Sequence, residues 1–208
     1  MKKLLILFLV IAAGWQPASG QNAFGVKAGI QAADHAKVFT PPDAEPQDQL
    51  TKPYAGYGVG VFFKARLGKQ WAFAAETNFS VIGSRTQYTT PSQVMNPDGK
   101  THYYNDKIGY IEVPLTVQYR VGKLYAGIGP SVAYKLFSKM TNFEDRTYET
   151  TFYKKLDAAA NILAGYQLTE RWDVNLRYSH GLLNIHENNV FMETKNRFLN
   201  VSVLYTLK

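Results

Sequence analysis

Apolar and polar side chains alternate with a period of two through most of this chain, and that pattern fixes what it can become. In 54–67, Ala55, Tyr57, Val59, Val61, Phe63, Ala65 and Leu67 share one face, against Tyr54, Gly56, Gly58, Gly60, Phe62, Lys64 and Arg66 on the other. The same alternation runs through 71–81, 108–121, 156–168, 172–179 and 199–207, and more weakly through 24–32 and 124–136. Successive side chains of a strand point to opposite faces, so each segment presents one apolar and one polar side. No segment carries a 3.6-residue apolar stripe ten residues long, so the chain is read as all-β with eight strands.

The connections alternate too. Tight turns at Gly68–Gln70, Gly122-Lys123 and Thr169–Arg171 join the second strand to the third, the fourth to the fifth and the sixth to the seventh. Longer polar segments, at 33–53, 84–106, 138–153 and 184–196, make the other joins. Short turns at one end and long connections at the other predict an eight-stranded antiparallel up-and-down transmembrane β-barrel, with its turns in the periplasm. Aromatic residues fit that orientation: Trp71, Tyr119, Tyr166, Trp172 and Tyr205 lie near the turn end on the apolar face, where an interfacial girdle belongs. Tyr57, Tyr134 and Tyr178 would form the outer girdle. The competing arrangement is a soluble lipocalin-like barrel with the faces reversed. It gives no reason for aromatics banded at one depth.

Composition narrows the class further. The chain is 46% hydrophobic, 14% aromatic and 19% charged, too apolar for disorder. Past the N-terminus no run approaches the ~20 apolar residues a spanning helix needs, which excludes a helical membrane protein. With no cysteine there is no disulfide framework, thiolate metal site or cysteine nucleophile. Lys2 and Lys3, the apolar stretch Leu4 to Ala13, the break at Gly14 to Pro17 and the small residues Ala18-Ser19-Gly20 predict a secretory signal peptide over 1–20, cut before Gln21. The barrel domain is then 21–208. Removing Lys2 and Lys3 lowers the net charge from +7 to +5.

With apolar faces outward, Lys27, Lys64, Arg66, Glu76, Glu112, Arg120, Asp157, Asp173 and Arg177 turn into the lumen. Eight strands leave a lumen just wide enough for side chains to fill, so these acids and bases are expected to pair across it. Gly56, Gly58, Gly60, Gly127 and Gly129 leave one wall bare and make room for long side chains from another. Two functions fit such a network: a structural plug, or a gated pore or proton path. Pro114 and Pro130 fall inside strands and lie nearly opposite each other when the chain folds about Gly122-Lys123. Each removes a ladder donor, which predicts a bulge or missing hydrogen bonds there.

Several stretches carry a resemblance. They are Tyr-Ile-Glu-Val-Pro-Leu-Thr-Val-Gln-Tyr-Arg at 110–120, Tyr-Ala-Gly-Ile-Gly-Pro-Ser-Val-Ala-Tyr at 125–134, and Leu-Arg-Tyr-Ser-His-Gly-Leu-Leu-Asn-Ile at 176–185. The opening Phe-Gly-Val-Lys-Ala-Gly at 24–29 and the closing Phe-Leu-Asn-Val-Ser-Val-Leu-Tyr at 198–205 add to it. The chain resembles the eight-stranded outer-membrane β-barrel family that includes the PorT-like and porin-family barrels of Gram-negative bacteria. The resemblance implies the outer membrane of a Gram-negative cell, and it makes a Val-Pro-Leu strand ordinary. It is specific for the barrel rather than for an activity, since such families include secretion components and surface-interaction proteins. The terminal aromatic of many such barrels is replaced by Lys208, with Tyr205 close by.

Catalytic patterns are sparse. An outer-leaflet hydrolase or acyltransferase needs a nucleophile, a base and an orienting acid within reach. Ser179-His180 with Asp34-His35 supplies the residue types, but the strand period sends Ser179 and His180 to opposite faces. His102 and His186 read as loop residues. No nucleophile elbow, metalloprotease helix or phosphate loop occurs, and loop acids lack metal-ligand spacing. The expectation is a monomeric, non-enzymatic barrel without cofactor, metal or nucleic-acid partner, anchoring surface loops for structural or partner-binding roles. A narrow channel or secretion-machinery component is the alternative, and an outer-leaflet enzyme the third. Lys135, Lys139, Arg146, Lys154 and Lys155 flank one outer loop and are candidate contacts for lipid A phosphates in the outer leaflet.

Overall fold

The computed structural model describes residues 22–39, 49–88, 102–142, 144, 146–187 and 192–207. The leader expected at 1–20 lies outside the described residues. Nine strands form: β1 Ala23–Phe39, β2 Gln49–Arg66, β3 Trp71–Tyr88, β4 His102–Val121, β5 Leu124–Thr141, β6 Thr147–Glu149, β7 Leu156–Gln167, β8 Trp172–Gly181 and β9 Met192–Thr206. Eight pair antiparallel in the order β4-β3-β2-β1-β9-β8-β7-β5, and β5 pairs back onto β4. The sheet therefore closes into a barrel with no free edge in the ring. The three-residue β6 is an addition to the outer end of β5.

The tight turns stand where expected. Gly68 (φ 134°) and Gly122 (φ 59°) hold left-handed conformations that a side chain would strain. The strands run further outward than the apolar alternation predicts. β1 continues to Phe39 and β2 begins at Gln49, inside the segment read as a loop. Crossing a membrane takes about 9–11 residues. β2–β5 have 18–20 each, so their outer halves project beyond the apolar band. There the outward face no longer meets lipid, and pairing persists without the alternation that marks it.

The outward face is apolar: Ile30, Val59, Ile128, Val132 and Ile162 are all more than half exposed. Trp71 packs on Tyr119 with ring centroids 4.9 Å apart, and Trp172 on Tyr205 at 4.7 Å. Both pairs stand beside the short turns and form the girdle.

The prolines interrupt the ladder. Between β4 and β5 pairing runs to Pro114↔Ser131 and resumes at Val117↔Ile128. Between β3 and β4 it runs to Ala75↔Leu115 and resumes at Asn78↔Glu112. Neither lapse changes the register, so Pro114 costs pairs without introducing a bulge. Pro130 still pairs with Ala160 in β7. True register shifts occur at Gly109/Tyr110 and at Pro53/Tyr57. At the second, Gln31 donates from Nε2 to the carbonyls of Tyr57 (3.0 Å) and Val81 (3.1 Å), two residues paired at the irregularity's edge.

Candidate functional site

The lumen is organised in layers. Its middle is ionic. Inward positions of β1, β3, β4 and β8 bring Lys27, Glu76, Glu112 and Arg177 together. Lys27 Nζ donates to Glu76 Oε2 at 2.8 Å, and Arg177 Nη2 donates to Glu76 Oε1. Asn78 Nδ2 adds a third bond to Glu76 at 3.1 Å. Glu112 accepts from the Ser131 hydroxyl and lies in the field of Arg177 and Lys27. Two cations thus face two carboxylates. Arg177 is 2% exposed and is the largest fully buried side chain of the barrel. Gly58 and Gly60 lie among these groups, and a Cβ at Gly60 would collide with Asn78 Oδ1. That is the room the bare glycine wall provides.

Toward the short turns, Phe62, Ala74, Leu163 and Leu204 form a buried apolar layer. Beyond it Lys64 Nζ donates to Asp173 Oδ2 at 2.9 Å while standing over the rings of Phe62 and Tyr125 at 5.2 and 4.8 Å. Arg120 does not meet an acid: it donates to Gln167 Oε1 at 2.5 Å and lies 5.6 Å from the Tyr125 ring centroid. Arg66 shares the inward parity, but it ends its strand at the rim and is solvent-exposed. Asp157 likewise pairs with no base. It accepts from Asn196 Nδ2 at 2.7 Å and from the Ala158 amide at 2.7 Å. The expectation of acid–base pairing therefore fits Lys27, Glu76, Arg177, Lys64 and Asp173. Amides take the corresponding places at Arg120 and Asp157.

Toward the outer mouth the lumen turns apolar again. Ala33, Ile82, Ile108, Tyr110, Tyr153 and Ile185 form one buried cluster. Tyr153 and Ile185 come from the two connections flanking β7 and β8, which cross the mouth as a strap. Tyr153 and His186 form an isolated antiparallel bridge. Backbone bonds Lys154 N to Ile185 O (2.7 Å), Glu187 N to Phe152 O (2.6 Å) and Ile185 N to Thr194 O (2.8 Å) tie the strap together and to β9. The Tyr153 hydroxyl bonds to Asp106. Burial, then the charge of Asp106, raises this phenol above its ordinary value, so it stays protonated and donates. Sequence reading missed this cap. Tyr153 and Ile185 were its visible signals, large apolar residues inside segments read as polar loops.

Among the described residues, one void of about 20 Å³ lies beside Tyr110, Glu112 and Asp157 and one of about 10 Å³ beside Lys27, Glu112 and Arg177. At the short-turn end a cavity of about 900 Å³ opens outward, lined by Lys64, Arg66, Lys69, Arg120 and Arg171 among others.

The cations proposed to meet lipid are not equivalent. Lys135 has inward parity and donates its Nζ to the Tyr153 carbonyl, so it fastens the strap rather than facing the bilayer. Arg146 lies 3.2 Å from Glu144, and Lys139 pairs across strands with Glu149. Lys154 and Lys155 are exposed. Of the hydrolytic candidates, Ser179 is buried and donates to Asn161 Oδ1 at 2.5 Å, whereas His180 is exposed against Tyr178. Asp34 is bound to Arg197 at 2.7 Å, and buried His35 sits 3.0 Å from Ser84 Oγ. These candidates do not converge into a Ser–His–acid set. Among the described residues no group of three His, Asp or Glu could hold a metal ion.

A closed antiparallel ring with an apolar outer face, an aromatic girdle and an ionised, filled interior is a transmembrane β-barrel, since only closure satisfies every backbone group in lipid. Residues 16–187 match the family described as outer membrane protein beta-barrel domain, and the chain belongs to it. Its place is accordingly the outer membrane. Solved structures with the same architecture include Neisserial surface protein A (11% identity, 90% of this chain and 100% of that one, TM-score 0.50). The attachment invasion locus protein Ail of Yersinia pestis is similar too (12% identity, 90% and 100% coverage, TM-score 0.49). So is OprG of Pseudomonas aeruginosa (10%, 89% and 96%, 0.47). No curated protein matches the chain.

Proposed function

We propose that this protein is a monomeric, non-enzymatic anchor in the outer membrane, holding its outer segments at the cell surface for structural or partner-binding roles. It is exported by a signal peptide over 1–20 that is removed before Gln21. The observation that carries the reading is the filled lumen. Its central charges serve as a structural network, since the voids around them, about 20 and 10 Å³, are on the scale of single waters. A conducting path would need the ionic layer and both apolar layers to part together. Purified protein in planar bilayers is expected to give no steady ionic current. A steady current would overturn the reading in favour of a narrow channel.

The outward cations extend the reading to lipid. Lys139, Lys154 and Lys155 stand at the outer rim, where ammonium groups can meet lipid A phosphates as point charges. Lys135 and Arg146 contribute less, being engaged by the Tyr153 carbonyl and by Glu144. Replacing Lys154 and Lys155 with Gln should lower retention of lipopolysaccharide through purification. Unchanged retention would remove the lipid contact and leave the anchor role untouched.

A further inference from the structure

The cavity at the short-turn end has no part in the anchor role. At about 900 Å³ it lies near the top of the ~300–1,000 Å³ range of ligand sites, whereas the voids beside the central charges are about 10 and 20 Å³. On its membrane side the next inward residues, Phe62, Ala74, Leu163 and Leu204, are apolar and buried. Its lining holds five cations, Lys64, Arg66, Lys69, Arg120 and Arg171, against two carboxylates, Glu170 and Asp173. Asp173 is already bound by Lys64. Four cations therefore face one remaining acid, and among the described residues no ion pair engages Arg66, Lys69, Arg120 or Arg171. Three of the four are arginines, whose planar forks suit carboxylates.

The cations are spread rather than converged. Arg66 ends β2, Lys69 sits in the β2–β3 turn, Arg120 nears the end of β4 and Arg171 lies in the β7–β8 turn. A compact ion is held by donors that meet at one point. Charges distributed around a mouth suit an extended chain. Exposed Gln70 shares the lining, and its amide both donates and accepts, as peptide backbone requires, whereas Gln118 Nε2 is engaged by Thr116 Oγ1 and Gln167 Oε1 by Arg120. We propose that this vestibule binds an acidic peptide segment presented from the periplasm.

The test is binding of a fluorescent hexa-aspartate peptide to the folded barrel in detergent at low salt, followed by anisotropy. Low salt matters because exposed charges are screened over about 8 Å at physiological ionic strength. Saturable binding is expected, weakened at least tenfold in the R66Q/R120Q/R171Q variant and unchanged by K154Q/K155Q at the opposite rim. Glu170→Gln removes the competing acid and should tighten binding two- to fivefold. That single variant decides the matter if the triple variant fails to fold, as judged by loss of the gel shift between unheated and boiled samples. Absence of saturable binding, binding that survives the triple variant, or no tightening in Glu170→Gln would overturn the proposal. Tripolyphosphate binding with no peptide binding would overturn it too, in favour of a compact oxyanion.

Discussion

The middle of the lumen and its outer mouth are both buried, yet they are closed by opposite means. At the middle, Lys27, Glu76, Glu112 and Arg177 converge from four strands, and the strands themselves supply every group. At the mouth, Ile185 and Tyr153 are delivered by connections that fold back over the opening, and the closure is apolar. The difference follows from what surrounds each level. The middle lies within a barrel wall that is apolar outside, so the polar half of every strand must face inward. Ionised groups there are tolerated only in combination. Outside the bilayer that constraint ends, and a short apolar strap can seal the opening as a soluble core would. The ionic layer is built into the barrel; the cap is laid on it.

If so, the two closures should fail differently, and the largest effect belongs to the middle. Arg177→Met keeps most of the side-chain volume but leaves Glu76 and Glu112 sharing only Lys27. Removing one partner of a buried ionic set costs about 3–5 kcal/mol. Urea unfolding of the folded barrel, read by gel mobility or tryptophan fluorescence, should show a loss of that size. Adding Glu76→Gln should recover part of it, because an isolated buried charge costs more than a neutral amide; the coupling is read from the double-mutant cycle. Equal losses in the single and double variants would mean that Arg177 acts by packing, and the contrast between the layers would lose its basis.

The mouth should give a smaller and local effect. Ile185→Ala removes a fully buried side chain, a change that costs about 2–5 kcal/mol in a rigid core. At an open end the surroundings can collapse, so the lower figure of about 2 kcal/mol is expected. It should appear first as faster hydrogen exchange at the amides of Lys154, Ile185 and Glu187, whose bonds hold the strap. The ladder amides of β7 and β8 should exchange as before. Exchange rising throughout the barrel would show that the cap is part of one cooperative unit with the strands.

This contrast also explains what the sequence made legible. Strand count, turn positions, the lipid-facing side and the inward parity of nine charges all follow from a period of two, which is a local signal; that Arg66 ends exposed at the rim does not. Who pairs with whom across the lumen is not local. It depends on how the strands stagger on closure, and so the amide partners of Asp157 and Arg120, Asn196 and Gln167, could not be read. By its place in the chain, beside an outer loop, Lys135 falls among the candidate lipid contacts. Its parity, shared with Ser131 and Ala133, sends it inward to the Tyr153 carbonyl. The outer halves of β2–β5 were hidden because alternation is imposed by lipid and fades where lipid ends. The strap was hidden because two isolated apolar residues in polar connections carry no period.

The smallest effect tests the membrane depth on which the comparison rests. If the wall around the ionic layer is embedded in hydrocarbon, the Trp172–Tyr205 pair stands at the interface below it, and Tyr205 has its hydroxyl near the Arg171 guanidinium at 3.3 Å. Tyr205→Leu keeps an apolar surface and removes the ring contact and the polar tip. The aromatic pair is worth about 0.5–1.5 kcal/mol beyond its area. A loss within that range is expected in lipid vesicles. It should be smaller in short-chain detergent micelles, where no defined interface exists for the ring to occupy. Equal losses in both media would make the pair an ordinary surface contact. The depth of the ionic layer would then need to be fixed by another marker, such as quenching of Trp71 and Trp172 by lipids brominated at known carbon positions.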